Sequence, residues 1–155
     1  MKLKLHDRII KTVVNRFRQH FSPRGRILLI NEGGPELAYI SCLELGHCCP
    51  SLPTHDELPN VIIHNRKQQM LFLIDSAGIR GQMDAIRYEA LQKVFKGCDP
   101  GLVYVVAFQS RMDLCSKDLN FAWGTCAWFA DEPDHLIHFN GGRFLGPYSD
   151  DLMKC

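Results

Sequence analysis

NVIIHN (residues 60–65) and QMLFLID (residues 69–75) are two apolar, β-branched runs of strand length. Asn65, Arg66, Lys67 and Gln68 join them, so the pair reads as a β-hairpin. With His64 set opposite Gln69, side chains alternate cleanly. Val61, Ile63, Met70, Phe72 and Ile74 then share one wholly apolar face. Asn60, Ile62, His64, Gln69, Leu71, Leu73 and Asp75 share the other. This register places Asn60 opposite Leu73 and Asp75 diagonally beyond it, so two polar side chains converge at the open end of the hairpin.

On the N-terminal side, residues 6–21 carry Ile9, Ile10, Val13, Val14, Phe17 and Phe21 at helical spacing, with Asp7 at the positive end of the helix dipole. Pro23 and Gly25 end that helix, and RILLIN (26–31) reads as a buried strand leading into the NEGGPE loop. Residues 36–59 hold one short strand or helix around 37–45, then a Pro-rich loop through Pro50, Pro53 and Pro59. After SAGIRGQ (76–82), a second helix over 83–96 buries Met83, Ile86, Ala90, Leu91 and Val94, and Gly97 stops it. LVYVVAF (102–108) is a buried strand, 111–121 a helix, and TCAWFA (125–130) and HLIHFN (135–140) two strands joined by 131–134. Trp123, Trp128 and Phe129 read as core.

The 155 residues, 46% apolar and 23% charged, have the composition of one ordinary globular domain spanning 1–155, with its core over about 26–148. Apolar runs stay at strand length and the start MKLKLHDRIIK lacks a signal-peptide block, so no membrane association and a cytoplasmic location are expected. Seven cysteines, an odd number without repeated spacing, fit a reduced intracellular protein. The net charge of +1 hides an asymmetry. Residues 1–26 hold eight Lys/Arg, Arg16 and Arg18 among them, against the single acid Asp7, and the remainder carries −6. An anionic partner at the N-terminal end is one reading of that segment, and a solvated helix face the other.

Cys42, His47, Cys48, Cys49 and His55 lack the paired knuckle of a zinc site, which leaves a metal-binding regulatory protein as a third, weakest alternative. His135 and His138 point to opposite faces of a strand. The second Pro-Asp, Pro133-Asp134, is followed by Asp151-Leu152-Met153-Lys154, one residue too long for DxK. Gly33-Gly34 lacks a phosphate-loop pattern, and the cysteines lack CxxC.

Glu32, Asn60 and Asp75 all fall at strand ends, where ligands collect in mixed sheets. A helix, a strand, a hairpin ending in an acid, a helix and another strand make up the common core of the PD-(D/E)xK nucleases, with Pro59-Asn60 in the place of Pro-Asp and Asp75-Ser76-Ala77 in that of (D/E)xK. The phrases RILLINEGGPE, LPNVIIHNRKQQMLFLIDSAGIRG, GLVYVVAFQSR and AWFADEPDHLIHFNGGRFLGPY together resemble the C-terminal catalytic region of the BsuBI/PstI family of type II restriction endonucleases, from about Thr12 to Tyr148.

The resemblance implies an α/β PD-(D/E)xK restriction-endonuclease-like fold, a central mixed sheet flanked by helices. It also implies Mg²⁺-dependent hydrolysis of duplex DNA at palindromes of the CTGCAG type, which calls for a homodimer on DNA. By position, Asn60, Asp75 and Glu32 become metal ligands and catalytic candidates, and Arg87 a further catalytic candidate. His55, Arg80 and Gln82 become DNA contacts alongside Arg16 and Arg18. Asn60 departs from the family's Asp, Ala77 offers no lysine, and NEGG replaces a GDT-like loop. A catalytically degenerate relative, acting as a DNA-binding or protein-interaction module, is therefore the alternative. The family's enzymes carry a further N-terminal domain, so the chain is expected to be a fragment, a compact relative or a degenerate descendant.

Overall fold

A computed structural model describes residues 4–49 and 54–140, and for His55 the backbone alone. Residues 141–148 of the expected core, the Asp151–Lys154 pattern, Pro50 and Pro53 lie outside the described residues.

Seven strands form one mixed sheet in the order β2-β1-β3-β4-β5-β6-β7. They are β1 (Arg26–Ile30), β2 (Tyr39–Ile40), β3 (Val61–Asn65), β4 (Met70–Ser76), β5 (Gly101–Phe108), β6 (Cys126–Phe129) and β7 (Leu136–His138). β4–β5 and β5–β6 pair parallel and the other neighbours antiparallel. The helices are α1 (Arg8–Thr12), α2 (Arg18–Phe21), α3 (Cys42–Cys48), α4 (Ala85–Val94) and α5 (Arg111–Cys115). A π-helical stretch, Val13–Phe17, connects α1 to α2, so the expected amphipathic segment is one helical run with a widened middle. Thr12 at that junction turns its hydroxyl back to the Arg8 carbonyl at 2.9 Å.

Alternation along the strands divides the core in two. Ile62, Leu71, Leu73, Val106 and Phe108 pack with Leu91 and Phe95 at α4 and with Leu45 of α3. Val61, Ile63, Phe72, Ile74 and Trp128 pack with Ile10, Val13 and Phe17. Phe17 meets Phe72 and Trp128 edge-on, at centroid distances of 5.7 and 5.5 Å, which fastens the basic N-terminal helical run to this second face.

The hairpin has the expected faces but a different register. Asn65 pairs with Met70 and Val61 with Ile74, a slip of one residue at each side of the turn. Slipping both sides together preserves which side chains share a face. The cause lies in the turn. Asn65 Oδ1 accepts from Gln68 N at 3.0 Å, while its amide donates to Ser22 Oγ and the Pro23 carbonyl, both at 3.1 Å. Gln69, at φ 56°, supplies the left-handed residue that closes the four-residue loop. Continued one step, this register sets Asn60 directly across from Asp75 rather than diagonal to it.

Three other expectations are corrected. Ile86 is 79% exposed, because α4 buries Leu91 and packs Tyr88 and Val94 against the sheet, turning Ile86 outward. The helix from Arg111 stops at Cys115: the Ser110–Asp113 capping box starts it, but Ser116, Asp118 and Asn120 favour turns, and Asn120 N bonds Gln82 Oε1 at 2.7 Å. Trp123 is 73% exposed, whereas Trp128 and Phe129 are core as expected. The undecided segment contains both a strand, β2, and a helix, α3.

Candidate active site

Three strand ends meet at the open end of the hairpin. The backbone ladder runs one residue past β1, where Asn31 N donates to the Asn60 carbonyl at 2.7 Å. Asn60, 1% exposed, spends its side chain there too: its amide donates to the Asn31 carbonyl at 2.7 Å and its oxygen accepts from Ser76 N at 2.8 Å. Both ends of the amide are thus bonded to backbone, clamping β1, β3 and β4 together.

Asp75, fully buried, follows Ile74 on β4 and so faces the α4 side of the sheet. Arg87 comes to it from the first turn of α4, where the Asp84 side chain caps the helix by accepting from Arg87 N at 2.9 Å. The guanidinium meets the carboxylate as a fork: Nε to Oδ2 at 2.8 Å and Nη2 to Oδ1 at 3.1 Å. Its remaining arm, Nη1, donates to the Glu57 carbonyl at 3.0 Å. The Arg87 side chain is 14% exposed, so this is a buried, bidentate pair of the strong kind.

Arg80 stands beside it, donating from Nη2 to the Leu58 carbonyl at 2.7 Å. Burial lowers its pKa and the like charge of Arg87 adds to that, while Asp75 and Asp56 oppose it. A guanidinium remains protonated regardless. Arg80 also lines a cavity of about 150 Å³ with Asn31, Gly33, Gly34, Asp56 and Ile79. Gly33, at φ 86°, turns the chain there so that its N–H reaches Asn31 Oδ1 at 2.9 Å.

The fold therefore brings together Asn60, Asp75, Arg80 and Arg87. Glu32 does not join them: its Oε1 accepts from His6 N at 2.7 Å and Asp7 N at 2.8 Å, fastening the start of α1 to the loop after β1. Gln82 is one step removed, bonding Asp84 at 3.2 Å and Asn120 N. Arg16, exposed, and Arg18 belong to the helical run on the opposite face of the sheet, and Arg18 Nε is turned to the Val14 carbonyl at 2.9 Å. The His55 side chain lies outside the described residues.

Residues that sequence reasoning passed over are Asn31, one position before Glu32, and Asp56 and Glu57, next to His55. The rule that polar residues at strand ends collect ligands reaches Asn31 as readily as Glu32. Alternation then separates them, since neighbours along an extended chain face opposite ways.

A divalent cation of the hard, oxygen-preferring kind needs several free oxygen ligands, with carboxylate charge among them. Asn60 has both side-chain groups committed, each Asp75 oxygen already accepts from Arg87, and Glu32 is elsewhere. Among the described residues no group of three or more His, Cys, Asp or Glu side chains could hold a metal. The donor set as folded does not fit such an ion. Cys42, His47, Cys48 and Cys49, on and just after α3, belong to no such group either.

The profile of the BsuBI/PstI restriction endonuclease domain matches residues 3–142. The type II restriction enzyme BsuBI of Bacillus subtilis is 37% identical over 143 residues, covering 92% of this chain and 45% of that enzyme. The type II restriction enzyme AplI of Arthrospira platensis is 30% identical over 87 residues, 56% of this chain and 27% of the enzyme. The solved structure of the SdaI restriction endonuclease superposes with a TM-score of 0.80 at 33% identity, over 90% of this chain and 44% of that one. The chain thus spans less than half the length of each of these relatives.

Proposed function

The chain belongs to the BsuBI/PstI restriction endonuclease family, a type II restriction-endonuclease-like nuclease by family and fold, and from that premise we propose that it acts on duplex DNA by hydrolysing phosphodiester bonds. Type II restriction endonucleases generally use a divalent metal, and Mg²⁺ is the ion proposed. The observation that carries this reading is the meeting of Asn60, Asp75, Arg80 and Arg87 at the open end of the β3–β4 hairpin, the position from which the family resemblance carries over its catalytic acids. Arg80 lines the 150 Å³ cavity, and Arg87 next to it is paired with Asp75, so a phosphate oxygen entering the cavity would meet the Arg80 guanidinium first. The domain is proposed to be single over 1–155 and cytoplasmic. Among the described residues no helix is long and apolar enough to cross a membrane. Cutting both strands of a palindrome needs two sites related by a two-fold axis, so the active form is proposed to be a homodimer on DNA.

A second reading is favoured by Asn60 itself. An amide bonded at both ends to backbone is built into the fold, and a site with one carboxylate holds metal weakly, so the chain would bind duplex DNA without cutting it.

One experiment separates these. The purified protein is incubated with supercoiled and with CTGCAG-containing linear duplex in Mg²⁺ and in Mn²⁺, and binding to the same duplex is followed by fluorescence anisotropy over a salt series. Cleavage lost in Asp75→Asn supports the nuclease. Binding that weakens steeply with salt, as phosphates are neutralised and counterions released, but leaves the DNA intact, supports the second reading. No binding at low salt refutes both.

A further inference from the structure

We propose that Arg87 is the resident cation of the Asp75 centre, a built-in latch that closes the carboxylate to divalent metal until the guanidinium withdraws. This rests on reading the centre as the family's nuclease site.

The latch is held from three directions. The fork engages both oxygens of Asp75 and takes one of the two in-plane lone pairs on each, so any cation would have to share each oxygen with a guanidinium N–H. The third arm is tied to the Glu57 carbonyl of the turn before β3, and the backbone of Arg87 is tied by the Asp84 cap of α4. Swinging the guanidinium away therefore breaks three hydrogen bonds.

Charge leads to the same conclusion. The Asp75–Arg87 pair is neutral in sum. Asn60 adds no charge, the nearby cation Arg80 adds a positive one opposed by Asp56, which lines the same cavity, and the Asp84 carboxylate is turned to the backbone N–H of Arg87. A divalent cation approaching Asp75 meets one guanidinium in direct contact with that carboxylate and a second, Arg80, beside it. At that range and partial burial the repulsion is large. A latch of this kind makes metal uptake conditional. A ligand that gives Arg87 another anionic partner, such as the phosphate of a bound duplex, would release Asp75 at the moment the substrate arrives.

The test is Mn²⁺ titration, followed by the paramagnetic resonance signal of the free ion, on the DNA-free full chain as wild type, Asp75→Asn, Arg87→Gln and the double variant. The wild type is expected to show no Mn²⁺ site that Asp75→Asn removes. Arg87→Gln is expected to gain Mn²⁺ affinity by about tenfold or more, a gain that the double variant loses. A wild-type site sensitive to Asp75→Asn and as tight as that of Arg87→Gln overturns the proposal, as does an Arg87→Gln protein with no gain. Circular dichroism checks folding. Should Arg87→Gln fail to fold, Arg87→Lys, which keeps the cation but cannot cover both oxygens, must show a smaller gain, and the wild type against Asp75→Asn decides alone if neither folds.

DNA cleavage run in parallel keeps the two readings apart. A wild type that cuts DNA and binds Mn²⁺ through Asp75 without DNA refutes the latch and keeps the nuclease. An Arg87→Gln protein that binds Mn²⁺ through Asp75, while neither it nor the wild type cuts, keeps the latch and refutes the nuclease.

Discussion

Asn60→Asp, the change that would place a second acid opposite Asp75, is expected to destabilise the fold in a pH-dependent way. The Asn60 amide donates to the Asn31 carbonyl at 2.7 Å and its oxygen accepts from Ser76 N at 2.8 Å. An ionised carboxylate keeps the second bond and turns an acceptor toward the first carbonyl, across the sheet from Asp75 and out of water. Burial and the facing carbonyl disfavour the charge and, against the opposing pull of Arg80 and Arg87, raise the introduced carboxyl's pKa, by about three pH units for so buried a site. At about 1.4 kcal/mol per unit, the variant loses about 4 kcal/mol at pH 8. Near pH 4 the carboxyl is protonated in the folded state and donates to Asn31 much as the amide did, so the loss falls below about 1 kcal/mol. The sign follows from linkage: the folded state holds the proton more tightly, so stability is retained below the ordinary carboxylate pKa and lost as pH rises through the folded value. Urea unfolding of parent and variant at pH 4 and pH 8, in EDTA to exclude metal, measures the difference. A loss equal at both pH values, or a variant more stable at pH 8, would refute the reasoning.

Asp75→Asn leaves Arg87 inside the protein without its anion, and breaking a buried pair in this way costs roughly 3–5 kcal/mol in urea unfolding; a neutral or stabilising change would mean the pair is not formed. Cys126 is buried, and burial pushes its thiol up to about 11. The folded protein therefore holds that proton longer than the unfolded chain, and stability is lost as pH rises from about 9 to 11, by at most about 2.7 kcal/mol. A Cys126→Ala protein should show a shallower alkaline fall in urea midpoint, and equal slopes would refute the assignment.

The hairpin was the most legible part of the sequence, because alternation over NVIIHN and QMLFLID specifies faces whatever the register, and a slip shared by both strands leaves every face intact. The register was not legible, because it depends on Asn65 finding Ser22 and Pro23, residues more than forty positions away that no local pattern connects to it. The same limit applies at the site. Asn60 and Asp75 could be placed together from the hairpin alone, and Arg87 from the resemblance, yet the pairing of Arg87 with Asp75 requires α4 to start where Asp84 caps it. Ile86 shows how finely that matters: its apolar character suggested the buried stripe, but the rotation of α4 that aims Arg87 inward leaves Ile86 at 79% exposure. Glu32 looked equivalent to the other strand-end acid and instead holds the backbone at the start of α1.

One residue then decides what the rest of the site can be. With an acid at position 60, Asp75 and its neighbour would carry two negative charges, Arg87 would cancel one, and a net charge would remain to draw a cation to the open end of the hairpin. With Asn60 there, the Asp75–Arg87 pair is neutral in sum, and on the proposed reading Arg87 takes the place a metal would have. The amide also gives up its own freedom, since the two backbone bonds that make Asn60 a good clamp use both groups it could have offered to an ion. Loss of one carboxylate charge and gain of a structural hydrogen bond are thus the same substitution seen from two sides. For that reason restoring the acid alone is expected to cost stability, and metal uptake through Asp75 is expected to respond first to Arg87.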